Sequence, residues 1–176
     1  MRGIAINNPL DRALQLAKHA KGSVAPRPAV GAVVVKNGKI VGEGATQPRP
    51  GNHAEVIALS QAGTQTRDAT LYCSLEPHAF QGLAPPCTDA IIKSGITTVV
   101  SPLQDPNPRV SGNGYRQLTA SRIDVVRNCT EKQKIEAEQL IEGFAHHIKT
   151  GLPMVTLKLA TSLDGKIATR TGDSRW

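Results

Sequence analysis

The 176 residues, 39% hydrophobic and 20% charged, suffice for one well-buried domain plus a short extension. They include no run of roughly 20 apolar residues that could cross a bilayer and no signal-like N-terminus, so we expect a cytoplasmic protein without membrane contact. A net charge of +7 indicates an anionic partner. With only 3% aromatic residues to stack on bases, a phosphorylated small molecule is favoured over nucleic acid.

The first part of the chain alternates helical and strand-like patterns. Apolar residues at helical spacing predict a helix over 9–21. The β-branched run 29–35 predicts a strand, the Asn-Gly pair at 37–38 a hairpin turn, and 39–42 the returning strand. A Pro/Gly-rich loop then leads to a predicted helix over 53–62.

Further strands and helices alternate over the rest of the chain. In chain order we predict a strand over 69–75, a helix over 87–93, a strand over 96–103, a short helix over 115–120, a strand over 123–126, a helix over 131–149 capped by Thr130, and a strand over 155–160. The strands are too apolar for burial on one side only. The sequence therefore predicts an α/β fold, a three-layer α/β/α sandwich with helices on both faces of one sheet.

Three candidate metal ligands stand at the ends of predicted elements. His53 lies at a loop-to-helix junction, His78 follows the end of a strand, and Cys87 opens the next helix. Catalytic zinc takes three ligands of these types and leaves a fourth position for water. A helix N-terminus also stabilises a thiolate, which favours Cys87 as a ligand. We therefore predict a Zn²⁺ site formed by His53, His78 and Cys87.

Glu55 is the candidate catalytic residue. It stands two residues after His53, where its carboxyl group could move a proton from the water activated by zinc to a ring nitrogen and then to departing ammonia. A His-x-Glu motif followed by a Pro-Cys motif is typical of zinc nucleobase deaminases, in which the glutamate is not a ligand. The pattern predicts hydrolytic deamination with zinc-bound hydroxide as the nucleophile.

The chain resembles the bifunctional riboflavin-biosynthesis deaminase/reductase along nearly its whole length. The resemblance rests on VGAVVVKNGKIVGEG, HAEVIAL, SLEPHAFQGLAPPCTDAIIKSGI, DPNPRVSGNGYRQL and VTLKLATSLDGKIATRTGDSRW. The eight residues between His78 and Cys87 favour this family over nucleic-acid and cytidine deaminases, where two residues are typical. The resemblance implies deamination of 2,5-diamino-6-ribosylamino-4(3H)-pyrimidinone 5′-phosphate.

The resemblance also implies two domains. Residues 1–150 would form a deaminase domain of the cytidine-deaminase type, and 151–176 the start of a reductase domain resembling dihydrofolate reductase. By this match Ala160 and Trp176 would contact NADPH and Ser174 the reductase substrate. About twenty residues cannot form a dinucleotide-binding domain, so we expect reductase activity, and NADPH binding, only in a full-length chain. Trp176 is accordingly expected to interrupt a longer reading frame.

Several positions depart from the family pattern. His78 stands where the family has Cys, and imidazole in place of thiolate should make a zinc centre more electrophilic. The family's polar residues are also replaced at Arg27, Thr46, Ala79, Phe80, Leu83 and Ala84. These changes leave open an altered substrate, or a non-catalytic domain that scaffolds a reductase. A polynucleotide deaminase is a third alternative, suggested by the positive charge.

Some assignments stay open at this level. Asp105 and Asn107 match a substrate-binding Asp-Pro-Asn-Pro segment of the family, but a proline-stabilised turn explains them equally well. Glu76 either orients the loop that follows it or simply ends a strand. The sequence does not determine the oligomeric state, and a homo-oligomer is one alternative.

Overall fold

The computed structural model describes residues 8–174. Its strands are β1 (Gly31–Lys36), β2 (Lys39–Ala45), β3 (Thr70–Cys73), β4 (Thr98–Val100) and β5 (Asp124–Val126). Its helices are α1 (Pro9–Ala20), α2 (Ala54–Ala62), α3 (Cys87–Ser94), α4 (Asn113–Ala120), α5 (Glu131–Leu140) and α6 (Glu142–Thr150), with a 3₁₀ turn at Gly63–Thr66. The strands form one mixed sheet in the order β2-β1-β3-β4-β5. β1 runs antiparallel to β2 and β3, whereas β3, β4 and β5 are parallel.

Two glycines show that helices cover both faces of the sheet. A Cβ added to Gly31 would lie 1.9 Å from the Ala13 carbonyl oxygen of α1, and one added to Gly44 would lie 2.3 Å from the Ala54 carbonyl oxygen of α2. Gly44 pairs with Ala32, the neighbour of Gly31 in β1. Because successive residues of a strand face opposite sides, α1 and α2 lie on opposite faces. The predicted three-layer sandwich is confirmed.

The structure confirms the predicted hairpin turn and the predicted cap of the helix that begins at residue 131. The turn between β1 and β2 is formed by Asn37 and Gly38. Their φ values of 50° and 73° are both positive, as a type I′ hairpin turn requires. Thr130 caps α5 through a capping box with Gln133. The largest fully buried side chains lie between the sheet and its helices and include Leu14, Leu71, Ile91, Val99 and Leu118.

The predicted helix over 131–149 is wrong in one respect, because the chain breaks it at Ile141 into α5 and α6. Ile141 adopts φ −110° and ψ 11°, and its N–H donates to the Glu138 carbonyl, three residues back. The side chain of Ile141 is buried in the core, and the turn lets α6 start in a new direction. α6 thereby carries Phe144 to the cavity described below.

The predicted strand over 155–160 is also wrong for this structure. Val155, Leu157 and Leu159 are 85%, 78% and 64% exposed, and the segment contains no strand residue. A strand needs a neighbour for its backbone N–H and C=O groups, and within residues 8–174 the sheet ends at β2 and β5 without reaching this segment. The pattern of alternating apolar residues is real, but local pattern alone does not make a strand.

The topology brings the candidate residues to one edge of the sheet. The segments after β3 and β4 leave the carboxyl ends of parallel strands, the usual binding edge of an α/β sheet. The starts of α2 and α3 lie beside them, as the contacts between His53, His78 and Cys87 show. Among residues 8–174, no helix has the length and apolar character needed to traverse a bilayer.

Candidate metal centre and active-site cavity

Three segments bring the predicted ligands together. His53 is the residue before α2, in an extended conformation with φ −75° and ψ 156°. His78 lies five residues beyond the end of β3, and Cys87 is the first residue of α3. The Thr88 N–H donates to the His78 carbonyl over 3.3 Å, which fixes the loop that ends in Cys87 against the segment that carries His78.

The three donor atoms have the spacing of a metal site. The Cys87 sulfur lies 3.2 Å from Nδ1 of His53 and 3.2 Å from Nδ1 of His78. One ligand atom from each of the three side chains lies within 4.8 Å of the others. Zinc bonds of about 2.0–2.3 Å in a tetrahedron place nitrogen and sulfur ligands about 3.5 Å apart. The donor types and their spacing therefore fit one zinc ion.

The protonation of the two histidines also fits a metal site. Burial, together with the charges of His78, Arg27 and Arg49, lowers the pKa of His53 to about 4. Burial likewise lowers the pKa of His78. Both imidazoles are thus neutral near pH 7, the form that ligates metals. Burial, with the charge of Glu55, raises the pKa of the Cys87 thiol, and a bound cation would reverse that direction.

Glu55 lies beside the donor cluster in the first turn of α2. Its side chain is 4% exposed, and burial raises the pKa of its carboxyl group while a hydrogen bond to Cys87 opposes that rise. A buried carboxyl group with a raised pKa can both accept and return a proton near neutral pH. The structure thus places the predicted acid/base residue next to the predicted ligands.

These residues form the bottom of an open cavity of about 490 Å³. This volume suits a ligand of nucleotide size. The floor of the cavity consists of His53, Glu55 and His78, with Cys87 buried beside them. The other lining residues, which we call the wall, include Arg27, Arg49, Phe80, Leu83, Asp105, Asn107 and Arg109. Three guanidinium groups and three carboxyl groups, those of Glu55, Glu76 and Asp105, thus line the same cavity.

The segment 105–109 is both a turn and a part of the cavity. The Asp105 carboxylate accepts a hydrogen bond from the Asn107 N–H over 2.8 Å, and the Asn107 side chain accepts one from the Arg109 N–H over 3.1 Å. These successive Asx turns agree with the proline-stabilised turn expected as one alternative. Asp105 and Asn107 nonetheless line the cavity as the family resemblance implies. Burial raises the pKa of Asp105 to about 6, and the charge of Glu76 adds to the rise.

The positions that depart from the family pattern have distinct surroundings. Arg27 lines the cavity while its Nη1 donates to the carbonyls of Gln47 and Gly51 over 3.1 and 2.6 Å. Thr46 is buried and its hydroxyl accepts from the Val30 N–H, so it also holds the sheet edge. Phe80 stacks under the Arg109 guanidinium at 4.1 Å, and Leu83 is 87% exposed.

Two of the predicted reductase residues, Ala160 and Ser174, do not line this cavity. Ala160 and Ser174 are exposed in the segment after α6. Trp176 lies outside the described residues. The assignments of Ala160, Ser174 and Trp176 to NADPH and substrate, and the division of the chain at 150, stay predictions.

Sequence reasoning missed two residues of the cavity lining and left the role of a third open. Arg49 and Phe144 line it, although no motif singles them out. Glu76 was left open, and the structure shows its carboxylate accepting backbone hydrogen bonds from the loop after β4. A buried acidic residue directly before a candidate ligand loop was the available signal for Glu76.

Comparison with known proteins identifies relatives along the chain. The family model for the cytidine and deoxycytidylate deaminase zinc-binding region matches residues 6–102. The riboflavin biosynthesis protein RibD of Aquifex aeolicus is 51% identical over 96% of this chain and 47% of that protein. RibD of Escherichia coli is 46% identical over 94% of this chain and 44% of that protein. The chain thus spans about half the length of the curated relatives it matches.

Solved structures agree. A diaminohydroxyphosphoribosylaminopyrimidine deaminase/5-amino-6-(5-phosphoribosylamino)uracil reductase from Thermotoga maritima superposes with a TM-score of 0.85 at 44% identity, over 96% of this chain and 48% of that one. Acinetobacter baumannii RibD gives 0.85 at 41% identity, over 96% and 46%. The dCMP deaminase of cyanophage S-TIM5, at 23% identity with a TM-score of 0.51 over 67% of this chain and 92% of that one, shares the fold.

Proposed function

The chain belongs to the cytidine and deoxycytidylate deaminase family, in the branch of the riboflavin biosynthesis protein RibD, and we propose that it hydrolytically deaminates a phosphorylated aminopyrimidine. The proposed substrate is 2,5-diamino-6-ribosylamino-4(3H)-pyrimidinone 5′-phosphate. One observation carries the proposal: the donor atoms of His53, His78 and Cys87 converge beside the buried carboxyl group of Glu55 on one cavity floor.

The chemistry divides between the ligands and Glu55. Zinc held by His53, His78 and Cys87 supplies a Lewis acid that makes water nucleophilic near neutral pH. Glu55 accepts a proton as the water oxygen bonds to the amino-bearing ring carbon, and it delivers that proton to the adjacent ring nitrogen. Glu55 then takes the remaining proton of the new hydroxyl group and passes it to the amino group, so that the carbon–nitrogen bond breaks, ammonia leaves and a ring carbonyl forms.

The wall supports an anionic substrate. Arg27, Arg49 and Arg109 line it, and the acidic residues of the cavity are largely buried, as Glu55 and Asp105 show at 4% and 5% exposure. Guanidinium groups bind phosphate through charge-assisted hydrogen bonds. We therefore assign the arginines of the wall to the phosphate and the floor to the pyrimidine ring.

The alternative of a non-catalytic scaffold is less well supported. A scaffold has no physical need for two neutral histidines and a cysteine at metal-site spacing beside a buried glutamate. We propose that reductase chemistry, with Ala160, Ser174 and Trp176 at NADPH and substrate, occurs only in longer members of the family. We also propose a cytoplasmic location, which suits the unpaired cysteines Cys73, Cys87 and Cys129 because disulfides are rare in reducing compartments.

The proposal is tested with purified protein of known metal content. We expect about one zinc per chain and ammonia release from the proposed substrate, lost on chelation and restored by zinc. The dephosphorylated substrate is the matched control and should show a raised KM. Protein that binds no zinc, or zinc-loaded protein that releases no ammonia from the phosphorylated substrate, would contradict the proposal.

A further inference from the structure

Glu76 is a buried carboxylate that the proposed chemistry does not use. Its side chain is 3% exposed, directly before Pro77 and the ligand His78. The Glu76 N–H donates to the Leu103 carbonyl over 2.9 Å, so the segment also contacts the start of the loop after β4. A buried charge without partners would be strongly destabilising, so its hydrogen bonds show what it does.

Four backbone N–H groups of the segment 105–115 donate to this one carboxylate. Oε2 accepts from Asp105 at 3.1 Å and from Gly112 at 2.9 Å. Oε1 accepts from Gly114 at 2.9 Å and from Tyr115 at 3.4 Å. A carboxylate offers about four lone-pair sites, and all are engaged. Glu76 therefore has no acceptor capacity left for substrate or for a proton in transit.

Three of these donors belong to the start of α4. A helix leaves its first N–H groups without intrahelical partners, and a side chain at the N-cap position usually accepts from them. Asn8 and Thr130 do so at the starts of α1 and α5. The N-cap of α4 is Gly112, which has no side chain, and Glu76 supplies the missing acceptor from 36 residues earlier.

Packing reinforces the contact. A Cβ added to Gly114 would lie 2.1 Å from the Pro77 carbonyl oxygen and 3.1 Å from Oε1 of Glu76. The absence of a side chain at Gly114 therefore lets α4 approach the segment that carries His78. A second contact lies within the segment 105–115, where Arg109 stacks on Phe80 at 4.1 Å. The Phe80 ring in turn meets the His78 ring edge-on at 5.3 Å.

The segment held in this way carries part of the cavity wall. The segment begins at the first donor to Glu76, Asp105, and Asn107 and Arg109 follow before the next donor; all three line the cavity. The Glu76 carboxylate and the contact of Arg109 with Phe80 thus both tie this segment to the residues beside His78, and Tyr115 adds a hydrogen bond to the Leu103 carbonyl. His53, Glu55 and Cys87 are held by other elements, α2 and α3, whereas the ligand His78 follows β3 and lies two residues after Glu76.

We propose that Glu76 is a positioning residue, which fixes the segment 105–115 against the His78 segment and so presets the substrate-binding wall. The expected effect on KM rests on the proposed function, because that function names the substrate. The expected effect on the order of the segment 105–115 does not. Loss of the carboxylate should loosen the wall while leaving the reacting groups in place. Substrate binding would then have to order the segment, which raises KM more than it lowers kcat.

The first test uses the zinc-loaded wild-type chain and amide hydrogen exchange. The N–H groups of Gly114 and Tyr115 should exchange at least about 100-fold more slowly than those of Gly143 and Phe144, which hold the same positions in α6. In the described part of the chain, the N-cap of α6 makes no side-chain capping hydrogen bond. Equal exchange rates at the two helix starts would overturn the proposal without any variant.

The second test substitutes Glu76→Gln, which keeps the shape but removes the charge and half of the acceptor capacity. We expect protection at Gly112 and Gly114 to fall at least about tenfold, KM for the proposed substrate to rise about tenfold, and kcat to change less than about threefold. The matched control is Gln133→Ala, which removes another buried capping side chain, one that serves α5. It should leave the exchange of Gly112 and Gly114 and the KM unchanged.

The outcomes separate the two hypotheses. Lost protection with an unchanged KM would mean that Glu76 serves stability alone, and it would overturn the positioning role. A wild-type chain that releases no ammonia contradicts the proposed function. In that case the NMR chemical shifts of the His78 and Phe80 ring protons measure whether the wall keeps its place beside His78. We expect Glu76→Gln to change them, and unchanged chemical shifts overturn the proposal. If Glu76→Gln does not fold, Gly114→Ala, which forces α4 away from Pro77, should give the same changes.

Discussion

The floor and the wall of the cavity differ in how their residues are held. His53, Glu55 and Cys87 stand at the first residues of helices, and His78 follows a sheet strand by five residues. The wall residues come from loops that are positioned by distant contacts, such as Arg27 on the carbonyls of Gln47 and Gly51. Local structure therefore fixes the reacting groups, whereas long-range contacts fix the groups that select the substrate. Substitutions at the floor should change turnover, and substitutions at the wall should change binding.

The largest effect is expected for Glu55→Gln. The amide keeps the size of the side chain but cannot carry the proton, so kcat should fall about 10³-fold while zinc content stays at that of the wild type. KM should change little. Ammonia release under saturating substrate and elemental analysis measure the two quantities. Glu43→Gln, the same substitution at a surface ion pair with Arg12, is the control and should keep full kcat. Undiminished turnover in Glu55→Gln would break the assignment of the floor.

His78 tests the one floor position that departs from the family pattern. His78→Ala removes one of three donors and should lower zinc affinity at least about 10²-fold, whereas His78→Cys should keep tight binding because thiolate is also a zinc ligand. Competition with a chromophoric chelator measures both affinities. His147→Ala, at an exposed histidine of α6, is the control. Equal affinity in His78→Ala and the wild type would show that His78 is not a ligand.

The sequence predicted the floor better than the wall, and the reason is physical. A His-x-Glu motif at a helix start and a cysteine at another specify side chains whose positions follow from local geometry. The position of Arg109 over Phe80 depends on contacts between segments almost thirty residues apart, which no local pattern encodes. The same limit explains the fold errors. The helix breaks at Ile141, a residue that is buried in the core, and 155–160 has strand-like alternation without a neighbouring strand in the described chain.

Asp105→Asn tests whether a buried carboxylate in the wall lowers the free energy of unfolding. Burial raises the pKa of Asp105 to about 6 in the folded chain, against about 3.9 when unfolded. The stability that this group contributes is present below the unfolded pKa and is lost as pH rises through 6. Asp105→Asn should therefore raise the free energy of unfolding by about 1–3 kcal/mol at pH 8 and leave it nearly unchanged at pH 4.

Denaturant unfolding at the two pH values measures this difference. The amide retains an oxygen that can accept from the Asn107 N–H, so the turn should persist. The wild-type chain at the same two pH values is the reference for both comparisons. A loss of stability at pH 8 in Asp105→Asn would mean that the carboxylate stabilises the fold, which contradicts the prediction.

Arg109 tests anion recognition by the wall. Arg109→Met removes the charge but keeps a long side chain that can pack on Phe80. KM for the phosphorylated substrate should rise about tenfold, a typical value for one charge-assisted hydrogen bond, with kcat nearly unchanged. The dephosphorylated substrate serves as the control, and its KM should not respond. A fall in kcat instead would place Arg109 with the reacting groups of the floor.

Substitutions at Leu83 should have the smallest effect, and they test whether adding a charge to the wall changes binding alone. Its side chain is 87% exposed at the mouth of the cavity, where the family pattern has Arg. Leu83→Ala should change the free energy of unfolding by less than about 0.5 kcal/mol, because an exposed side chain buries little apolar area. Leu83→Arg adds a fourth guanidinium group to the wall and should lower KM for the phosphorylated substrate by about two- to threefold, an effect that salt screens. Because the Leu83 side chain is exposed, kcat should stay constant in both variants. A change in kcat would show that wall and floor are coupled through the 79–86 loop.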